Sequence, residues 1–271
     1  MKFSPKPLPG NVNVSRTHPL AEFLWLVGGL VVVAGIVFIA LGLLTDLTVS
    51  RIPVRAESWL GSKAMERFPA RDNEGLQQRL DALLAGLPPG SPLHRYNFRA
   101  LLMEKDEINA IALPGGNIVV FSGLLRLVQS ENELAMVLCH ELGHYAHRDH
   151  LRGLGRGLGV TVAMLALFGY DSVAGDLVSR SLMSYQASYS QSQEVAADAF
   201  ALDLLTRHYG HAGGSTAFFS RLAARNKIRV PYLLASHPHP GDRIENLNSL
   251  IADHGYPVGV TEPLAADLKI Q

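Results

Sequence analysis

Five adjacent residues carry the most recognisable chemistry in this chain: His140-Glu141-Leu142-Gly143-His144. Histidines four apart share one helical face, so two imidazoles can converge on one tetrahedral metal. Glu141, one step round, then reaches a water in a remaining position. That is zinc-hydrolase geometry. The alternative is an amphipathic helix with two unrelated surface histidines. It fits poorly with Leu134, Val137, Leu138 and Cys139 just upstream, an apolar setting in which unpaired polar groups are costly to bury.

A catalytic zinc needs a third protein ligand and keeps one position open. Two candidates compete. His150 stands where the extended pattern HExxHxxGxxH puts its third histidine, and Ser181-Leu182-Met183-Ser184-Tyr185 reads as a Met-turn of the metzincin type. However, the glycine of that pattern is His147 here, and Tyr145-Ala146-His147-Arg148 contains no helix breaker. On a continuing helix His150 would lie about 600° round from His144, pointing away from the metal. The rival is Glu194 in Glu194-Val195-Ala196-Ala197-Asp198. A carboxylate at i can bind zinc while Asp198 at i+4 accepts the second ring N–H of a ligating histidine. The bland reading, two solvated helix charges, sits badly among Ala196, Ala197, Ala199 and Phe200.

The elements that must position these groups follow from pattern. Leu76, Leu80, Leu83, Leu84 and Leu87 give a helical period ended by Pro88-Pro89-Gly90, after a juxtamembrane connection over Arg51–Arg71. Phe98–Met103, Ile108–Leu113 and Ile118–Phe121 read as strands, the last two joined through Pro114-Gly115-Gly116-Asn117. Ser130 with Glu133 forms a capping box that opens the helix of the HELGH residues. Further helices fit Ser190–His208 closed by Gly210, Thr216–Asn226, and Asp242–Asp253 closed by Gly255. Leu158–Tyr170 is apolar but too short to span a bilayer alone. Ser236-His237-Pro238-His239-Pro240 is a proline-stiffened loop that can hold an imidazole in a fixed place.

From Phe23 to Leu44 there are 22 uncharged residues, all apolar except Gly28, Gly29, Gly35 and Gly42. As a helix they reach roughly 33 Å, enough to cross a bilayer core, and the run is longer than the apolar region of a cleaved signal peptide. The expected organisation is a tail over 1–22, a transmembrane anchor over 23–44 in contact with membrane lipid, and one domain over 45–271. Gly28, Gly35 and Gly42 recur every seven residues, a face on which such helices could self-associate. Lys2, Lys6 and Arg16 before the span balance Arg51, Arg55 and Lys63 after it, so charge does not orient it. With 24 basic and 24 acidic residues, no nucleic-acid partner is expected. A single cysteine excludes an intrachain disulfide framework.

Several stretches together resemble one family, the membrane-associated gluzincin endopeptidases that include HtpX, BepA, the mitochondrial Oma peptidase and the CAAX prenyl protease. The stretches are Asn109–Gly116, HELGH with His147-Arg148-Asp149-His150, Glu194 with Asp198, and His237-Pro238 with Arg243-Ile244. They run in the family's order over residues 109–244, and the anchor-plus-domain layout is most similar to the Oma-like and BepA-like members. Gln191 departs from the pattern, in which many members have arginine.

The resemblance implies an α+β fold: a mainly helical zincin-type metallopeptidase domain with a small antiparallel sheet, plus one N-terminal transmembrane helix. It also implies one Zn2+ held by His140, His144 and Glu194, with Asp198 behind a histidine. Glu141 would take the proton of the zinc-polarised water and pass it to the leaving amine. His237 would lie near the metal with Arg243 close by, as oxyanion stabiliser or reversible fourth ligand. Asn109, Ala110, Ile111, Ala112 and Leu113 would form the edge strand that pairs with a peptide or unfolded protein substrate. Tyr185 and Tyr189 are further candidate substrate contacts. The expected setting is envelope protein quality control, as a single-pass protein of the bacterial inner membrane with a periplasmic or otherwise extracytoplasmic catalytic domain. The competing readings are a metzincin-like peptidase using His150 and a non-catalytic zinc-stabilised, chaperone-like membrane module.

Overall fold

The computed structural model describes residues 18–66, 69–155, 189–225, 237 and 240–269. Leu158–Tyr170, the Ser181–Tyr185 segment, His239 and the chain before His18 fall outside them. The chain divides into two units between Leu44 and Thr45. The first contains most of α1 (Pro19–Val49), whose Pro19 takes the first helical position, where a missing N–H costs nothing. None of its most apolar stretch is buried, and by length and composition it can cross a membrane. A core helix of a soluble domain would be covered instead.

The second unit begins with the last turn of α1 and continues into α2 (Val54–Met65), where the sequence suggested only a connection. Its inward positions, Val54, Glu57, Gly61 and Met65, follow a helical period. Because a carboxylate and a glycine occupy two of them, hydropathy alone does not reveal the face. Next come β1 (Ala70–Asp72) and α3 (Glu74–Ala85), the latter capped by the Asn73 side chain accepting from Leu76 N at 2.9 Å. Leu76, Leu80 and Leu83 turn the buried face of α3 into the core as their spacing predicts.

The strands are β2 (Arg99–Met103), β3 (Ala110–Leu113) and β4 (Asn117–Phe121), in sheet order β1-β2-β4-β3. The expected antiparallel sheet is therefore corrected to a mixed one, because β2 and β4 are parallel. The β3–β4 hairpin forms as anticipated, but the segment before it carries β3 past β2's neighbour position to the outer edge. The reason lies in β4, Asn-Ile-Val-Val-Phe, which is buried along its whole length and belongs in the interior of the sheet. Gly115 (φ 81°) and Gly116 (φ 89°) make the hairpin turn.

The central element is α4 (Glu131–Ala146), buried from Asn132 to Tyr145. Ser130 caps it, accepting from Glu133 N at 3.2 Å, while the Glu133 carboxylate takes the N–H of Gln129 rather than that of Ser130. The second half of the expected capping box is thus displaced by one residue. The helix also stops sooner than the sequence suggests: it ends at Ala146, and Arg148 adopts φ 58°, redirecting the chain. Arg148 Nη1 donates to the carbonyls of Val49 and Ile52 at 2.6 and 2.8 Å. These bonds offset the roughly 1–2 kcal/mol that a left-handed non-glycine residue costs.

Three longer helices follow among the described residues. α5 (Gln191–Tyr209) has the Ser190/Gln193 capping box and ends on Gly210 at φ 75°. α6 spans Ala217–Arg225 and α7 spans Pro240–His254. α4 and α5 cross closely at Gly143, where an added Cβ would come within 2.9 Å of the Ala197 backbone. That approach lays the HELGH face against Glu194 and Asp198.

Candidate metal centre

His140 and His144 project from one face of α4, Glu194 and Asp198 from one face of α5, and Arg243 from the first turn of α7, with His237 in the segment just before it. All are buried. One ligand atom each from His140, His144, Glu194 and His237 lies within 4.8 Å of the others. His140 Nε2 is 3.0 Å from His144 Nε2 and 3.2 Å from His237 Nδ1. Glu194 Oε1 is 2.9 Å from His237 Nδ1 and 3.4 Å from His144 Nε2.

The far side of each HELGH imidazole faces a carboxylate. His140 Nδ1 lies 2.9 Å from Asp198 Oδ1, and His144 Nδ1 lies 3.0 Å from Asp149 Oδ2. Neutral imidazoles protonated at Nδ1, the tautomer these carboxylates favour, would aim both Nε2 lone pairs at each other and at the Glu194 carboxylate, although Arg243 Nη2 also lies 3.0 Å from His140 Nδ1. Such a set of converging donors is electrostatically unfavourable unless a cation lies between them, so the residues present fit a divalent metal.

The charges around this core are arranged to the same end. Burial pushes the Glu141 carboxyl above its ordinary range. Burial opposes ionisation of Glu194 too, but the charge of His237 and hydrogen bonds from His144 and His237 outweigh it and hold the carboxylate well below the usual range. Asp198, likewise desolvated, is held down to about 2 by Arg243 and His140. Burial and Arg243 lower His140 to about 3, whereas hydrogen bonds to Asp149 and Glu194 overcome burial and raise His144 to about 9. The carboxylates thus stabilise positive charge at the centre of the cluster. Arg243 binds the two inward carboxylates of α5, Glu194 and Asp198: Nε and Nη2 donate to Asp198 at 2.8 and 2.5 Å, and Nη1 lies 3.1 Å from Glu194 Oε2. Its guanidinium also stacks over Phe219 at 4.1 Å.

Glu141 differs from its neighbours. Its Oε1 is 3.8 Å from His237 Nε2, and its buried Oε2 has no hydrogen-bond partner among the described residues. It lines a cavity of about 20 Å³ with Ala110, Val137, Phe218 and Phe219. A buried carboxylate oxygen without a donor is costly, and here it borders the converging donors, where a reacting water would be needed.

The structure therefore brings together Glu141, His140, His144, Glu194, Asp198, His237 and Arg243. β3 takes up Ala110, Ile111, Ala112 and Leu113, with Asn109 just before it, at the outer edge of the sheet. Asn109 O accepts from Phe121 N. By antiparallel alternation, the main-chain groups of Ala110 and Ala112 face away from β4. His150 does not join the cluster: after the reversal at Arg148 its Nε2 bonds Glu57 Oε1 at 2.7 Å. Sequence reasoning missed Asp149, which also receives Gln193 Nε2 at 2.7 Å and Arg152 Nη1 at 3.1 Å. The only signal was an acid five residues after His144, usable only if the helix ends between them. Tyr189 stacks on the His144 ring at 3.7 Å.

Comparison with known proteins bears on the same residues. Residues 70–251 match peptidase family M48. Metalloprotease LoiP of Escherichia coli is 27% identical over 217 residues, 78% of this chain and 84% of LoiP. The mitochondrial metalloendopeptidase of Arabidopsis thaliana is 35% identical over 149 residues, 55% of this chain and 30% of that protein. A beta-barrel assembly-enhancing protease of Yersinia pestis is 29% identical over 169 residues, 58% of this chain and 34% of that protein. The chain thus spans about a third of the length of the last two.

Proposed function

The chain belongs to peptidase family M48, and on that premise we propose that it is a membrane-anchored zinc endopeptidase. His140, His144 and Glu194 would hold the metal, with Glu141 as general base. The observation that carries this reading is the convergence of the two Nε2 atoms and a Glu194 oxygen on one point, with a carboxylate behind each Nδ1 that favours the metal-binding tautomer.

What a zinc ion supplies there when bound is Lewis acidity toward a water and toward the scissile carbonyl. Glu141 Oε2 accepts the proton of the attacking water and returns it to the leaving amine, and its buried, raised-pKa setting suits both transfers. Asp198 and Asp149 fix the tautomers of His140 and His144. Arg243 keeps Glu194 and Asp198 ionised and in register. His237, whose Nδ1 lies 2.9 Å from Glu194 Oε1 and 3.2 Å from His140 Nε2 while its Nε2 faces Glu141, would serve as a reversible fourth donor. The outer edge of β3, which pairs with no strand among the described residues and whose Ala110 lines the Glu141 cavity, would pair with an extended substrate backbone.

Purified full-length protein should contain one zinc per chain and cleave an unfolded protein such as reduced casein. A chelator should stop cleavage and added zinc should restore it. Cleavage that survives complete metal removal would refute the assignment. The α1 span and a relative named beta-barrel assembly-enhancing protease support action on unassembled envelope proteins, with the catalytic unit outside the cytoplasm. An external protease should then digest the catalytic unit in spheroplasts; protection there with digestion only after lysis would reverse the orientation.

A further inference from the structure

Glu57 is fully buried, although most of the surface of α2 around it faces solvent. Its carboxylate is completely engaged: Oε1 meets His150 Nε2 at 2.7 Å and Gly115 N at 3.5 Å, and Oε2 accepts from Tyr96 OH at 2.8 Å. The Tyr145 ring lies 4.1 Å from that of His150 and edge-on to Tyr96 and Phe98. The Tyr145 hydroxyl donates to the carbonyl of Leu113 and accepts from Gly116 N at 2.9 Å. Three peptide groups around the β3–β4 turn are therefore held from outside the hairpin by two side chains, Glu57 and Tyr145.

Packing points the same way. A Cβ at Gly61 would lie 2.1 Å from Pro114 O, and one at Gly115 would lie 3.0 Å from Ser58 Cα. α2 is pressed directly onto the turn. Tyr145 follows His144 in sequence, so the helix that carries the metal-binding histidines also fastens the end of β3.

We infer that Glu57 is a positioning residue for substrate binding: with His150, Tyr96 and Tyr145 it forms a buried clamp on the Pro114–Gly116 turn that sets where the outer edge of β3 stands relative to the metal centre. The inference rests on the reading of β3 as the peptide-pairing edge. It also gives His150, the rejected metal ligand, a specific task. The clamp touches the strand and not the reacting atoms, so its loss shifts substrate binding rather than the chemical step.

The test uses full-length Glu57→Gln, Tyr145→Phe and the double variant, assayed on a peptide substrate and on the same peptide N-methylated at alternate residues flanking the scissile bond. On the plain peptide each single variant should raise KM about tenfold, the worth of roughly one hydrogen bond, with kcat and zinc content retained. Because both act through one turn, the double variant should be little worse than either. On the N-methylated peptide, already unable to pair fully, the variants should match wild type. If N-methylation does not weaken wild-type binding, β3 is not the pairing edge, and both that reading and this inference fall. If N-methylation weakens binding but the folded variants keep the wild-type KM, the inference alone falls. It falls too if the variants lose zinc or kcat with KM unchanged. Should Glu57→Gln fail to fold, Tyr145→Phe carries the same comparison.

Discussion

Glu141→Gln should lower kcat for peptide hydrolysis by on the order of 10²–10⁴-fold, the usual contribution of a positioned general base, while zinc stays bound at one per chain. The expectation comes from the division of labour within α4. His140 and His144 spend both ring nitrogens, one on a carboxylate and the other on the convergent centre. Glu141 makes no comparable commitment. Its Oε2 is buried without a donor among the described residues, beside the cavity that Ala110 also lines. A purely structural zinc site has no use for such a group. Glutamine preserves the shape and removes only the ability to take a proton, so unchanged turnover in this variant would refute the proposed mechanism. Inactivity of the wild type on every unfolded substrate, with zinc present, would favour the non-catalytic zinc-stabilised module instead.

The parts of this site that could be read from sequence are those whose geometry is local. His140 with His144 and Glu194 with Asp198 are i,i+4 pairs on strongly signalled helices, and both pairs face inward as spacing requires. What could not be read depends on distant contacts. The end of α4 is set by Arg148 in a left-handed conformation, held by carbonyls of Val49 and Ile52 roughly a hundred positions earlier. Missing that break hid Asp149, and it gave the wrong reason for setting His150 aside. A continuing helix would have pointed His150 away from the metal, whereas the actual reversal buries it against Glu57. The strand order was equally illegible. Pattern identifies Ile118–Phe121 as a strand, but whether β2 or β3 flanks it on a given side depends on the path of Glu104–Asn109.

Metal content provides the sharpest test of the ligand set. Glu194→Ala should yield protein that cannot retain zinc through dialysis, because it removes the one anionic donor and leaves Arg243, 3.1 Å from Glu194 Oε2, as a buried positive charge facing the cluster. Asp149→Asn should retain zinc but bind it about 10–100-fold more weakly, the usual effect of removing a carboxylate behind a ligating histidine. His150→Ala should keep full zinc, since its ring bonds Glu57 and stacks on Tyr145 away from the convergent donors. His237→Ala should keep zinc as well, for three ligands suffice in a catalytic site that reserves a position for water and substrate. The pattern across the four variants decides between architectures. Loss of zinc in His150→Ala alone would restore the metzincin reading. Loss in His237→Ala with retention in Glu194→Ala would exchange the roles of the two residues that share the 2.9 Å contact. Retention in all but Glu194→Ala, with weakening in Asp149→Asn, is the outcome that a two-histidine, one-glutamate centre requires.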